Sequence, residues 1–432
     1  MKVLIVGNGA REHALAWKVA ASPLVGADDL YVTRPTPGIA SLAGGTVRGL
    51  DLSPTDVDGL VAFVAEESID LTVVGPEAPL ALGLADALRE GGCRVVGPGA
   101  SGARLESSKV FSKDFMLRHG VPTAAAESFD DPGAATQWLE TACYPLVLKA
   151  DGLAAGKGVA ICHDAASAIA WIDEVMQDRS FGEAGQRVLA EAFLVGEEAS
   201  VIVLTDGERS LRFPSSQDHK ARDDGDRGPM TGGMGAISPT PLIDEALWAR
   251  IDEQVIAPTL RGLREEGIDF RGFLYCGLMI SNGRPFVLEY NVRLGDPEAQ
   301  VLLTRMRSDI VPLLDGCARG DVDPGEVSWD PRPSACVVMA SGGYPGPYET
   351  GRVIHGLEEE KLHTEDEGVV FHAGTRDMDG AVATSGGRVL GVTALGQDLP
   401  EAIARAYARA DRISFEGAFT RRDIGAKALK SI

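Results

Sequence analysis

"KADGLAAGKGV", Lys149 to Val159, places three glycines and two lysines within eleven residues. Glycine lets backbone N–H groups approach a phosphate closely, so the stretch reads as a nucleotide-holding loop. A P-loop requires G-x-x-x-x-G-K-[ST]. Here only three residues separate Gly152 from Gly156, and Lys157 is followed by Gly158 rather than a hydroxyl residue, which excludes that reading. The flanking runs "PLVLKA" (145–150) and "GVAIC" (158–162) are strand-like. The loop therefore joins two strands, and a hairpin tip of this kind can close over a bound triphosphate. The alternative is an exposed hairpin with two solvated lysines.

The next stretch, "RVLAEAFLVGEEAS" (187–200), puts Glu191, Leu194 and Glu197 where a strand leaves the same unit. An extended segment there can offer its backbone to an adenine edge and a carboxylate to a ribose diol, although isolated surface acids are common. Further on, "VLEYNVRLGDPEAQ" (287–300) begins as an apolar strand and then alternates Glu289, Asn291 and Arg293 onto one face. Two hard oxygen donors two residues apart suit a Mg²⁺ ion that also contacts phosphates. Arg293 beside them can pair with a phosphate bidentately. The competing explanation is the polar face of an edge strand.

Before the loop, "KVLIV" (2–6), "LYV" (30–32), "DLTVV" (70–74) and "CRVV" (93–96) read as buried strands, with helices over 11–21, 55–67 and 79–90. That alternation predicts an α/β unit with a parallel sheet covered on both faces. Gly7 and Gly9 lie between the first strand and a helix N-terminus, an anion site to which Arg11 adds charge. A dinucleotide fingerprint fails, because the third glycine of G-x-G-x-x-G is His or Glu here. A further helix over 108–119 stops at Gly120 with Pro122 beyond it. Strands around the glycine loop and a helix over 164–177 then predict a small α+β lid. Strands "EASVIVL" and "FVLEYNV", a polar Gly-rich segment (215–241) and two helices follow. The tail carries strands "ACVVMA" and "GGRVLGVTAL" and a helix over 399–412.

At 432 residues the chain can form two to four domains, and 44% hydrophobic with 24% charged residues is the balance of a soluble globular protein. A formal net charge of −22 argues against a nucleic-acid partner while leaving room for a locally basic pocket. Six scattered cysteines without a CxxC pair predict reduced thiols and a cytoplasmic location. The apolar run in "MKVLIVGNGAREHA" is a first strand rather than a signal peptide, and no run reaches the length of a membrane span.

With these segments read, the chain resembles the ATP-grasp carboxylate–amine ligases, and within them the glycinamide ribonucleotide synthetase family. The likeness runs nearly end to end: "GNGAREHALAWK" (7–18), "VGPEAPL" (74–80), the glycine loop, "FLVGEEAS" (193–200), "SQDHK" (216–220), "TGGMGA" (231–236), "FLYCGLMI" (273–280), "EYNVRLGDPEAQ" (289–300) and "GGYPGPY" (342–348). The resemblance implies an α/β ATP-grasp fold: a Rossmann-like N-terminal domain (1–103), an ATP-grasp domain (104–326, lid about 123–195) and a C-terminal domain of mixed β structure with helix (327–432).

The reaction implied is ATP, glycine and 5-phosphoribosylamine giving ADP, phosphate and glycinamide ribonucleotide in purine synthesis, through an acyl phosphate. By the same resemblance Glu289 and Asn291 hold Mg²⁺ or Mn²⁺. Lys109 and Lys149 neutralise the ATP phosphates, under a loop carrying Gly152, Gly156, Lys157 and Gly158. Glu191, Phe193 and Leu194 meet adenine, and Glu197 meets the ribose. Arg293, with Lys149, stabilises the charge of the transfer. The remaining substrates fall to Gly7, Asn8, Gly9, Arg11 and Glu77, to Asp218, Lys220, Gly232 and Gly233, and to Gly295 and Asp296 beside Arg293. Partners are small molecules only, with neither nucleic acid nor membrane, and the chain is a monomer or weak homodimer. His13 is given no role, and His219 is read as structural or substrate-positioning.

Three segments depart from the family pattern: "RPTPGIA" (34–40) where a "PGN-x-G" turn is usual, Met230 where an Asn is usual, and Ala221 where an Arg is usual. All three lie in segments that the resemblance places on the acceptor side. They keep open a paralogue that ligates a different amine or amino acid, altered at 34–40 and 221–230.

Overall fold

The computed structural model describes residues 1–42, 47–153, 158–177, 185–323, 325, 327–357 and 368–430. The N-terminal sheet is parallel, in the order β3-β2-β1-β4-β5. Its strands are β1 (Val3–Val6), β2 (Leu30–Thr33), β3 (Arg48–Leu50), β4 (Leu71–Val74) and β5 (Arg94–Val96). β1, β2 and β4 are buried at every position, because helices cover both faces; hence their unbroken apolar runs. β3 escaped the sequence reading because "RGL" is an edge strand of three residues with no apolar pattern. The helix expected over 79–90 is two helices, Glu77–Ala81 and Leu84–Glu90. They are separated at Gly83, whose φ of 84° a side chain would disfavour.

The glycine loop belongs to a second sheet, ordered β6-β9-β7-β8, of β6 (Ala126–Phe129), β7 (Leu146–Ala150), β8 (Val159–Cys162) and β9 (Val188–Ala192). β7 and β8 pair antiparallel, so the loop does join two strands. Leu146, Leu148, Val188 and Ala190 pack against Leu139 and Ile172 of helices Pro132–Leu139 and Ala165–Ile172. The end of β7 is tied to the helix Lys109–Arg118. Ser108 caps that helix through the N–H of Phe111 (3.1 Å), and Asp151 accepts from the Ser108 hydroxyl (2.9 Å) and the N–H of Val110 (3.2 Å).

Next come β10 (Glu197–Thr205), β11 (Ser210–Arg212), and four short strands in the polar Gly-rich segment: β12 (Gln217–Asp218), β13 (Ala221–Asp223), β14 (Arg227–Met230) and β15 (Gly235–Ser238). β16 (Gly272–Ser281) and β17 (Arg284–Asn291) complete an antiparallel sheet ordered β11-β10-β16-β17. Three helical stretches appear among the described residues of this region where two were expected: 245–265, Glu298–Arg305 and Ile310–Arg319.

The tail supplies β18 (Ser334–Ala340), β19 (Val370–His372), the hairpin β20 (Thr375–Met378) with β21 (Ala381–Thr384), and β22 (Arg388–Leu395). It does not form a sheet alone. The order β12-β15-β18-β22-β19 takes two strands from the Gly-rich segment, with Gly235–Ser238 paired to Val337–Ser334. "SQDHK" and "TGGMGA" are thereby held by the C-terminal strands.

Candidate active site

A cavity of about 530 Å³ opens where the lid sheet, β16–β17 and the Gly232 turn face one another. Its floor is the end of β17. The alternation of β17 places Glu289 and Asn291 on the cavity wall, and Arg293, two residues past the end of the strand, joins them there. Lys220 donates to Glu289 Oε1 at 2.9 Å. That ammonium, with Lys149 and Lys109 nearby, outweighs burial and holds the Glu289 carboxyl down to about 2. Asn291 Oδ1 accepts from Arg293 Nη2 at 3.0 Å.

At the lid end, Val147, Ile161, Leu189, Phe193, Leu194, Met116, Met279 and Leu288 form an apolar wall suited to a planar base. Within it lies a buried three-charge cluster. Glu191 Oε2 is 2.7 Å from Lys149 Nζ, and Oε1 is 2.9 Å from Lys113 Nζ. Burial raises the Glu191 carboxyl, but the two lysines together carry it below its ordinary value. Lys149 also donates to the Leu288 carbonyl (2.9 Å), fixing the lid strand to β17. Lys109 donates to the Gly152 carbonyl at 2.9 Å, and its burial lowers the ammonium's pKa.

The opposite end is built by arginines. Arg293 Nη2 donates to Glu106 Oε1 (2.6 Å) and Nη1 to the Leu294 carbonyl (3.1 Å), while Nε lies 3.5 Å from Glu77 Oε2. Among the described residues that Nε is buried without a hydrogen-bond partner. Arg388 donates to the carbonyls of Gly232 (2.7 Å) and Asp296 (2.7 Å) and pairs with the Asp296 carboxylate at 3.2 Å. Asp218, Glu298 and Tyr275 stand between the two ends. Burial, opposed by Lys220 but reinforced by Glu298, Glu198 and Glu289, pushes the Asp218 carboxyl well up.

Most expected residues line this one cavity: Lys109, Lys149, Gly152, Gly158, Glu191, Phe193 and Leu194 toward the lid, Asp218 and Lys220 in the middle, and Arg11, Glu77, Gly232, Gly295 and Asp296 toward the arginine end. Gly156 and Lys157 lie outside the described residues.

Five others are not brought to the wall. Glu197 faces away: on β10 it pairs opposite Ile280, while its neighbour Glu198, opposite Met279, lines the cavity with that methionine. Adjacent strand residues point to opposite faces, so Glu198 rather than the expected Glu197 presents its side chain to the cavity. Gly7, Asn8 and Gly9 serve the first turn instead. Gly9 N–H donates to Glu12 Oε2 at 2.6 Å, so the chain's own carboxylate takes one of the donors of the expected anion site. A Cβ on Gly7, which has a φ of 111°, would meet Glu12 and Pro76 at 2.8 Å. The Asn8 amide donates to the Arg34 carbonyl. Gly233, also at φ 111°, packs its Cα against Pro297, where a Cβ would lie 2.5 Å from the ring.

His219 is structural: Nε2 accepts from the N–H of Gly425 (2.9 Å), leaving Nδ1 to donate to the Gly235 carbonyl (3.2 Å). Of the three departures only Met230 reaches the cavity wall. Residues the sequence reading missed are Glu106, Ser112, Lys113, Glu198, Tyr344 and Arg388. The adjacency of Glu197 and Glu198 on a strand was a usable signal; the others depend on long-range packing.

Glu289 and Asn291 offer hard oxygen donors, and no group of three His, Cys, Asp or Glu side chains converges among the described residues. That donor set fits Mg²⁺ or Mn²⁺ shared with phosphates, because such ions commonly take one or two protein ligands beside substrate phosphates.

A lid sheet and a longer antiparallel sheet gripping a cavity with paired lysines and an acid–amide–arginine strand define an ATP-grasp protein. Profiles of phosphoribosylglycinamide synthetase match the chain in order: the N domain at residues 1–106, the ATP-grasp (A) domain at 107–299 and the C domain at 334–427. The chain belongs to the phosphoribosylglycinamide synthetase family. The phosphoribosylamine–glycine ligase of Allochromatium vinosum is 52% identical over 430 residues, covering 99% of each chain. The crystal structure of the ligase of that name from Thermotoga maritima superposes with a TM-score of 0.82 at 33% identity, covering 98% of this chain and 100% of that one. A Hydrogenobacter thermophilus biotin carboxylase domain, determined with MgADP, ADP and bicarbonate, shares the fold alone: TM-score 0.72 at 16% identity, covering 97% and 91%.

Proposed function

We propose that this protein joins glycine to 5-phosphoribosylamine at the expense of ATP, forming glycinamide ribonucleotide, ADP and phosphate in purine synthesis. The observation that carries the reading is the Arg293 guanidinium. It sits two residues past the Glu289–Asn291 donor pair, with a buried Nε that makes no hydrogen bond among the described residues and lies 3.5 Å from the Glu77 carboxylate. Such a donor suits an oxyanion that forms during phosphoryl and acyl transfer.

In this account the apolar lid wall holds adenine, Glu198 the ribose, and Lys149 and Lys109 the phosphates. Glu289 and Asn291 would hold Mg²⁺ or Mn²⁺, which would supply neutralisation of the phosphate charge. A glycine carboxylate oxygen attacks the γ-phosphorus and ADP leaves; the amine nitrogen then attacks the acyl carbon and phosphate leaves. Arg293 stabilises the charge of both steps, and the protein's work is positioning and electrostatics. Arg11, Glu77 and Arg388 bound the phosphoribosylamine end.

The same reading divides the chain near 103 and 326. It makes the enzyme a cytoplasmic monomer or weak homodimer acting on small molecules alone, consistent with the charge of −22 and with no described helix long and apolar enough to cross a membrane. A different amine acceptor now rests on Met230, the one departure on the cavity wall.

The test uses glycine labelled with ¹⁸O in its carboxylate. Attack through an acyl phosphate transfers one ¹⁸O into the released phosphate. Unlabelled phosphate contradicts the mechanism.

A further inference from the structure

We propose that Glu106 is the positioning residue that keeps Arg293 aimed into the cavity; this rests on the role given to Arg293 above. Glu106 is the penultimate residue of the helix Ala100–Ser107, two positions before the Ser108 cap of the helix that carries Lys109. Its carboxylate is nearly buried, with a side-chain exposure of 7%. One oxygen accepts from Arg293 Nη2 at 2.6 Å and the other from the backbone N–H of Val292 at 2.8 Å. The same carboxylate therefore fixes both the guanidinium and the backbone from which it extends.

The remaining contacts of Arg293 do not do this alone. Nη1 bonds the adjacent Leu294 carbonyl, which moves with the residue itself. Nη2 also bonds Asn291 Oδ1 at 3.0 Å, an oxygen the proposed metal would claim. Glu77 approaches Nε only to 3.5 Å, outside hydrogen-bond geometry. When Asn291 turns to a cation, Glu106 is the anchor left on Nη2. It also ties the helix that leads into the phosphate-lysine helix to the segment just past the strand of oxygen donors, so the two halves of the chemistry share one reference point.

Glu106→Gln keeps the shape but has a single acceptor oxygen for two donors, so either Val292 N–H or Arg293 loses its partner. Misplacing a catalytic group by about an ångström can cost roughly 100-fold in rate. The expected result is a kcat about 30- to 100-fold lower with KM for ATP changed less than about threefold, since ground-state ATP contacts are spared. ATP affinity by calorimetry and the urea midpoint are recorded alongside. The double variant Glu106→Gln/Arg293→Ala should be no slower than Arg293→Ala, because the anchor has nothing left to hold.

Wild-type kcat in folded Glu106→Gln overturns the assignment, as does a double variant that loses the product of both single effects. A rate loss that only tracks loss of folded protein does so too. If Glu106→Gln does not fold, Glu106→Asp decides: it retains charge but is too short to reach both donors. About a tenfold fall in kcat with unchanged KM for ATP supports the assignment, and an unchanged kcat sinks it. Wild-type kcat in Arg293→Ala is a separate outcome that removes Arg293 from the proposed reaction.

Discussion

Lys220 donates to Glu289 Oε1 at 2.9 Å, so the carboxylate assigned to the metal already carries a compensating cation. The pairing keeps Glu289 ionised at any pH near neutrality, with its carboxyl near 2. A ligand that never needs to lose a proton is ready for a divalent ion. Glu289→Gln should therefore reduce turnover by more than about 100-fold, because a neutral amide is a poor substitute for a charged metal ligand. ATP binding should survive in part through Lys149, Lys109 and the apolar wall. Steady-state rates and calorimetry of ATP binding check this; full activity would remove the metal assignment.

Glu191 is the shared counter-ion of Lys113 and Lys149. Removing its charge leaves two buried ammonium groups facing each other. Breaking a buried ion pair by neutralising one member typically costs about 3–5 kcal/mol. Glu191→Gln is expected to lower unfolding free energy by about that amount and to raise KM for ATP, since Lys149 loses its fixed position. A urea titration and initial rates at varied ATP measure both. An unchanged midpoint would mean the lysines relax into solvent.

Ser112 presents a buried hydroxyl to the cavity with no partner among the described residues. An unsatisfied buried polar group costs about 1–3 kcal/mol, whereas a hydrogen bond gained with ligand returns about 1 kcal/mol. Ser112→Ala should raise the urea midpoint without nucleotide yet weaken ATP binding by about threefold to tenfold. Tighter ATP binding in the variant would show that the hydroxyl has no nucleotide partner.

His219 is held neutral: burial, with Arg421 nearby, lowers it from 6.5 to about 4. Below pH 6.5 the unfolded chain takes a proton that the native chain refuses, so stability falls as pH drops from 6.5 to 4 and this contribution then levels off. The shift corresponds to at most about 3 kcal/mol. His219→Gln can reproduce the acceptor for Gly425 and the donor for Gly235. It should flatten the decline in urea midpoint between pH 6.5 and 4, leaving the share of His13, which burial also holds low. An identical decline in the variant contradicts the assignment.

Much of the scaffold could be read from the chain because its signals are local. β1, β2 and β4 are apolar runs of strand length, and Gly120 ends its helix at a φ of 68°. Glu289 and Asn291 are legible because a strand's period of two is rigid, and Arg293 follows just past the strand's end. What was missed depends on register or on distant partners. Glu197 and Glu198 cannot be told apart until β10 is paired with β16. At Gly7–Gly9, where an anion site is expected, the Gly9 N–H is taken by Glu12, a competitor three residues away whose direction is set by packing. Glu106 and Arg388 reach across 187 and 156 residues to Arg293 and Gly232, respectively, and no local pattern encodes such contacts. Strands β12–β15 are two to four residues long and rich in glycine and charge, so they read as loop.

The central claim is ligation of glycine to phosphoribosylamine with ATP. Its most direct test is phosphate release from Mg·ATP and glycine, with and without phosphoribosylamine generated in situ from ribose 5-phosphate and ammonia. The account predicts strong release that requires both substrates, with glycinamide ribonucleotide formed in equal amount. ATP binding without phosphate release under these conditions, followed by turnover with another amine, would contradict it and identify the wall around Met230 as the altered acceptor site.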